Sequence, residues 1–186
     1  MIITRTVAGD CALSLTDAKA HLRVEHNDED ALITSLAQAA HNVVSEAIGR
    51  VLTAETWTVA LPGASGDLAL PVRPVLTVES IAYFDGDDMQ QTASVSDFYL
   101  FKDPDRPSMR PKDGKSWPTV RRRDDAITIT LTAGMASVPD ELVAAMKLLV
   151  GHWYQNREAA SEKSLSEAPM AVQLILDLHR DRWVAA

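Results

Sequence analysis

The stretch Asn27–Leu52, NDEDALITSLAQAAHNVVSEAIGRVL, limits what this chain can fold into more than any other. Apolar residues recur at Leu32, Leu36, Ala40, Val43, Ala47 and Val51, and a second row, Ile33, Ala37, Val44 and Ile48, lies beside the first. That is the spacing of an α-helix with a wide apolar stripe. Asn27 is the expected N-cap, with Asp28, Glu29 and Asp30 set against the positive end of the helix dipole. No Pro or Gly interrupts the run before Gly49. The helix is therefore expected to reach about 35 Å, near the width of a small domain. So long and apolar a helix needs packing partners on more than one side, and the flanking segments are the candidates.

On the N-terminal side, residues 1–13 read as extended or irregular. Ser14–Val24, SLTDAKAHLRV, reads as a short helix with Thr16 at the N-cap, Asp17 in the first turn, and Leu15, Ala18 and Leu22 facing one way. A turn at Glu25–Asn27 then makes a helical hairpin. On the C-terminal side the period changes to two. Trp57, Val59 and Leu61 fall on one strand face, and Leu68–Pro71 is a short strand ended by proline. Val75–Phe84 is a longer strand, Asp85-Gly86 a hairpin turn, Met89–Ala93 the returning strand and Phe98–Phe101 a further short one. Residues 102–118 read as a long loop rich in Pro and charge. Val120–Thr132 resumes as strand, with Ile127, Ile129 and Leu131 on one face. A third helix starts at Pro139 and carries Leu142, Met146, Leu149, Val150 and Trp153 on one face as far as about Glu158. After the polar segment 159–168, Pro169 opens a fourth, with Met170, Leu174, Ile175 and Leu178 on one side. The expected fold is α+β. About four helices, in regions 14–52 and 138–183, form a core, with a β-rich insertion at about 54–133, in one domain of 186 residues.

Composition excludes several classes. At 46% hydrophobic residues the chain is not expected to be disordered. Its one cysteine, Cys11, cannot form an internal disulfide and reads as a core thiol in a reduced setting. The N-terminus lacks the apolar run of a signal peptide, and no segment approaches the ~18 unbroken apolar residues of a membrane span. A formal charge of −8 argues against a general nucleic-acid binder.

Motifs for chemistry are nearly absent. Gly114-Lys115-Ser116 is the tail of a phosphate-binding loop, but Met109 stands where the first glycine belongs and no strand precedes it. Gly63-Ala64-Ser65-Gly66 places its second glycine one residue early for a nucleophile elbow. Asp85, Asp87 and Asp88 lack the glycine and closing Glu of a calcium loop, and read as a solvated hairpin tip. His21, Glu25, His26 and Asp28 have zinc-ligand chemistry without a helical ligand pair, and read as helix-end polar residues. His152, Tyr154 and Arg157 beside Trp153 are the side chains of a core helix. No catalytic residue, cofactor or metal is assigned. One charge asymmetry remains. Between Lys102 and Arg123 eight basic residues, including Arg121, Arg122 and Arg123, face three acidic ones. A solvated loop and strand edge, and an interface with an acidic partner or phosphate, fit that cluster equally well.

Taken in order, Leu15–Arg23, Asp28–Ile33, Gly49-Arg50, Leu70-Pro71 with Pro74-Val75, Thr132-Ala133-Gly134, Val138-Pro139 and His152–Glu158 resemble the head–tail connector (adaptor) proteins of long-tailed bacteriophages. The same family occurs in prophages and gene transfer agents, and the resemblance spans nearly the whole chain. It implies a structural virion protein and not an enzyme. Such a protein forms a ring, dodecameric in the particle, beneath the portal protein. The ring extends the channel through which DNA passes without specific binding, and it presents a surface to head-closure or tail proteins. The partner interface is expected at Arg121, Arg122 and Arg123 and at the C-terminal Arg180, Arg182 and Trp183, since Trp and Arg are common interface anchors. The fourth helix either grips the portal or closes the core. A small accessory enzyme using His21 and His26, and a DNA-binding module using the 102–123 cluster, are the alternatives.

Overall fold

The computed structural model describes residues 1–156 and 170–180. Chain contacts divide the molecule into two compact units, Met1–Asp10 with Thr53–Ala136, and Cys11–Leu52 with Ser137–Ala186.

The second unit is helical. Helix α1 spans Leu15–Leu22, α2 Asp30–Ile48, α3 Asp140–Gln155 and α4 Met170–His179. Ser14, not Thr16, caps α1: its Oγ accepts the Asp17 N–H at 3.1 Å. The two hydroxyls are two residues apart, and only the earlier one sits where the chain is still extended. Helix α2 starts later than expected, with Glu29 at its N-cap. Asn27 instead accepts from Lys19 Nζ at 2.7 Å, and the same ammonium holds Asp30 at 2.6 Å. The hairpin is thus pinned by a lysine of α1. Of the two apolar rows of α2, the second is the core row. Ile33, Ala37, Val44 and Ile48 are buried together with Ala40 and His41, whereas Val43 is exposed. Helix α2 packs on α1, α3 and α4, so it is about 28 Å of rod at the centre of the unit. His41 is buried within it, and its Nδ1 accepts the Ala12 N–H at 3.1 Å. Pro139 precedes α3, whose inner face carries Leu142, Ala145, Met146, Leu149 and Val150. Tyr154 donates its hydroxyl to Glu29, tying the end of α3 to the start of α2.

The first unit is antiparallel β. Its strands are β1 (Ile2–Val7), β2 (Glu55–Leu61), β3 (Leu68–Ala69), β4 (Val75–Phe84), β5 (Gln90–Ala93), β6 (Phe98–Phe101), β7 (Ser108–Pro111) and β8 (Ile127–Ala133). Five form one sheet in the order β1-β2-β8-β4-β5 and three form a smaller sheet in the order β3-β7-β6. Residues 2–7, expected to be extended or irregular, pair with β2 as an edge strand whose six residues are all exposed. Strand β8 buries every second residue, Ile127, Ile129, Leu131 and Ala133, as its alternation requires. It begins at Ile127 rather than Val120, so Arg121–Arg123 precede the strand instead of lying on it. The expected loop at 102–118 contains β7. Gly134 marks a close approach. At φ 152°, a Cβ there would lie 2.6 Å from the Thr53 carbonyl.

Candidate partner-binding surfaces

The three consecutive arginines differ in what they touch. Arg123 lies over the Phe84 ring with its guanidinium carbon 3.7 Å from the centroid. It also pairs with Asp125 at 2.6 Å and Asp88 at 3.0 Å. The Asp125 hydrogen bonds push its pKa up further, and the same contact holds the Asp125 carboxyl below the usual carboxylate range. Arg123 therefore clamps the tip of the β4–β5 hairpin to the segment before β8. Arg121 and Arg122 are exposed, and neither side chain meets a carboxylate among the described residues. Those two remain available to a partner.

In the helical unit Arg180 donates Nε to the Ala47 carbonyl at 3.2 Å and pairs with Asp177 at 3.4 Å. Ala47 lies in the last turn of α2, where carbonyls have no partner within their own helix. Arg180 thus fastens α4 onto the C-terminal end of α2. Arg182 and Trp183 lie outside the described residues. The apolar stripe of α4 needs a correction. Val172 and Leu176 are the buried residues, whereas Met170, Leu174 and Leu178, expected on one packed side, are 86%, 65% and 72% exposed. They recur at intervals of four and leave a continuous apolar row on the outside of α4.

A third surface was not legible as a site in the sequence. On β6, Tyr99 and Phe101 alternate with buried Phe98 and half-buried Leu100, so both rings point outward. Tyr99 pairs in register with Arg110 of β7. The Arg110 guanidinium carbon is 5.9 Å from the Tyr99 centroid and 5.0 Å from that of Phe101, and Lys112 Nζ is 5.4 Å from Tyr99. Beside Arg110 opens a cleft of about 500 Å³ edged by Ser65, Asp67, Lys115 and Trp117. Trp117 is fixed there by donating Nε1 to the Gly66 carbonyl at 2.9 Å and by packing on Phe98 with ring centroids 4.6 Å apart. The alternation within Phe98–Phe101 was a usable signal. Its partner strand lay hidden in a stretch that reads as loop.

The candidate chemical groups take structural places. His26 Nδ1 is 3.7 Å from Asp28, and His21 lies beside Gly151 of α3. Among the described residues no group of three His, Cys, Asp or Glu is placed to hold a metal ion. The Asp85 carboxylate accepts from the Met89 N–H, the Gln91 amide and the Asp87 N–H, which hold its pKa below the ordinary value. It organises its own hairpin tip. Asp103 does the same for its loop through the N–H groups of Arg106 and Asp105. Partial burial pushes the Cys11 thiol up, away from thiolate character. Among the described residues no helix is long and apolar enough to cross a membrane.

The family model for head completion proteins matches residues 12–181, nearly the whole chain. The chain belongs to the head completion protein family. A head completion protein is a structural part of the virion, and that role comes to this chain with the family. No curated protein matches it significantly. Solved structures share the fold of this head completion protein. A chain from the neck of an empty gene transfer agent particle, computed with C6 symmetry, is 23% identical with a TM-score of 0.80, over 100% of this chain and 99% of that one. A chain from the virion of the native particle gives 22% identity and 0.77, over 100% and 99%. One from the native neck computed with C12 symmetry gives 22% and 0.76, again over 100% and 99%.

Proposed function

We propose that the chain is the connector subunit between head and tail. Twelve-fold copies close a ring beneath the portal protein, lengthen the DNA channel and present a docking surface to head-closure or tail proteins. The observation that carries this reading is the family match over residues 12–181. A likeness to neck chains over the full length of this one supports it, the particles concerned having been computed with C6 and C12 symmetry. The role is structural and not enzymatic. The chain contributes surfaces, and its −8 charge suits a channel wall that lets a polyanion slide.

The portal contact belongs to α4 and the residues after it. The outward row Met170, Leu174 and Leu178 supplies apolar area, and Arg180, Arg182 and Trp183 follow it. Arg121 and Arg122 are free cations for a second neighbour, whereas Arg123 serves there by holding the hairpin tip. The test is co-elution of the full chain with the portal protein encoded in the same genome. A complex is expected, and it weakens when the chain is cut before Pro169. Failure to co-elute at any salt concentration contradicts the reading.

A further inference from the structure

We propose that the outer face of the small sheet, Tyr99, Phe101, Arg110 and Lys112, docks the acidic turn between α1 and α2 of a second copy of this chain. This rests on the ring reading and names the chemistry of one contact between neighbours in it. Two exposed rings flanked by cations are the residue types that dominate protein interfaces. Neither Arg110 nor Lys112 meets a carboxylate among the described residues, so both cations lack a counter-ion. The cleft beside Arg110 is bounded by a second cation, Lys115, over a floor fixed by Trp117.

The partner is a protein carboxylate rather than a nucleic acid. Asp67 lines the cleft, and Asp97 takes Lys115 at 3.1 Å, so the positive charge is broken up rather than strung out along a phosphate track. Arg110 also already occupies the approach to both rings, where bases would need an open face to stack.

Charge complementarity selects the second copy. The chain has 26 acidic and 18 basic residues, so carboxylates are in surplus. Most described ones are engaged. Asp30 holds Lys19, Glu55 holds Arg5, Asp88 and Asp125 hold Arg123, and Glu79 accepts from Thr132. Asp140 and Glu141 face the N-terminal dipole of α3. Glu25 and Asp28 are an exposed pair in one turn, with His26 Nδ1 3.7 Å from Asp28, and neither carboxylate meets a Lys or Arg among the described residues. A closed ring needs two different patches on each subunit, and a basic aromatic face with an acidic turn is such a pair.

The experiment is a charge swap scored on ring formation in the presence of the portal protein, with the unaltered chain as control. Reversing one side (Arg110→Glu with Lys112→Glu) or the other (Glu25→Lys with Asp28→Lys) is expected to lower ring yield about tenfold or more, and combining both to restore most of it. Reversals without effect, or a combination no better than either half, overturn the proposal. A control that itself forms no ring removes the connector reading, and this contact with it. A photo-cross-linker at Tyr99 in the otherwise unaltered chain gives a second readout. Cross-links to residues 25–28 of another copy support the contact, and cross-links to DNA or to another protein overturn it.

Discussion

Glu55 is only 6% exposed and its carboxylate meets Arg5 of β1 at 3.2 Å. A buried charge that loses its partner keeps the full desolvation penalty. Arg5→Ala is therefore expected to lower unfolding stability by about 1–3 kcal/mol. Urea titration checks this, and the double variant Arg5→Ala/Glu55→Gln should recover part of the loss. Gly134 is constrained in a different way. An added Cβ would meet the Thr53 carbonyl carbon and oxygen at 2.6 Å, and backbone atoms cannot step aside as a side chain would. Gly134→Ala is expected to destabilise by about 1–3 kcal/mol in the same assay. At Asp85 the folded-state pKa is lowered by the Met89 and Asp87 N–H groups and the Gln91 amide. Its stabilisation is thus present above the unfolded-state value of 3.8 and is lost as pH falls through the lower folded value. The protection of the Asp87 and Met89 amides, taken relative to their intrinsic exchange rates at each pH, should fall only on the acid side of that range.

Among the elements, α4 offers the sharpest contrast between two sides of one helix. Leu176 is 6% exposed and Leu174 65% exposed. Leu176→Ala is expected to cost about 2–4 kcal/mol of stability. Leu174→Ser should change stability by less than about 0.5 kcal/mol while weakening portal binding. Equal losses of stability in thermal melts of the two variants would contradict the assignment of sides. The buried pair Val172 and Leu176 lies two residues, about 200° of rotation, from the row Met170, Leu174 and Leu178, and periodicity alone does not say which side meets the core. The same ambiguity governed α2, where the row through Ile33 and Val44 is buried and Val43 is not. Strands β2, β4 and β8 were readable because alternation over seven or more residues is a strong local signal. Strand β1 was read only as extended or irregular, and β7 as part of a loop. Neither carries an alternation of buried and exposed residues long enough to stand out, and each is specified by the strand it pairs with. The site residues divide in the same way. The cationic character of Arg121–Arg123 was plain, but the partners that bind Arg123, at Phe84 and Asp88, are tertiary contacts. The face built by Tyr99 and Arg110 was hidden for the same reason.

At the scale of the whole molecule, the family and the outward surfaces belong to the proposed connector reading. In that reading the chain contributes contact surfaces, among them the outward row of α4 and the exposed rings Tyr99 and Phe101. The most direct measurement is the mass of the full-length protein by light scattering, alone and after mixing with the portal protein of the same genome, with the mixture imaged by electron microscopy. The account predicts a complex carrying a dodecamer of this chain, seen end-on as a ring. A chain that keeps its monomer mass of 20.3 kDa in the presence of the portal would contradict it.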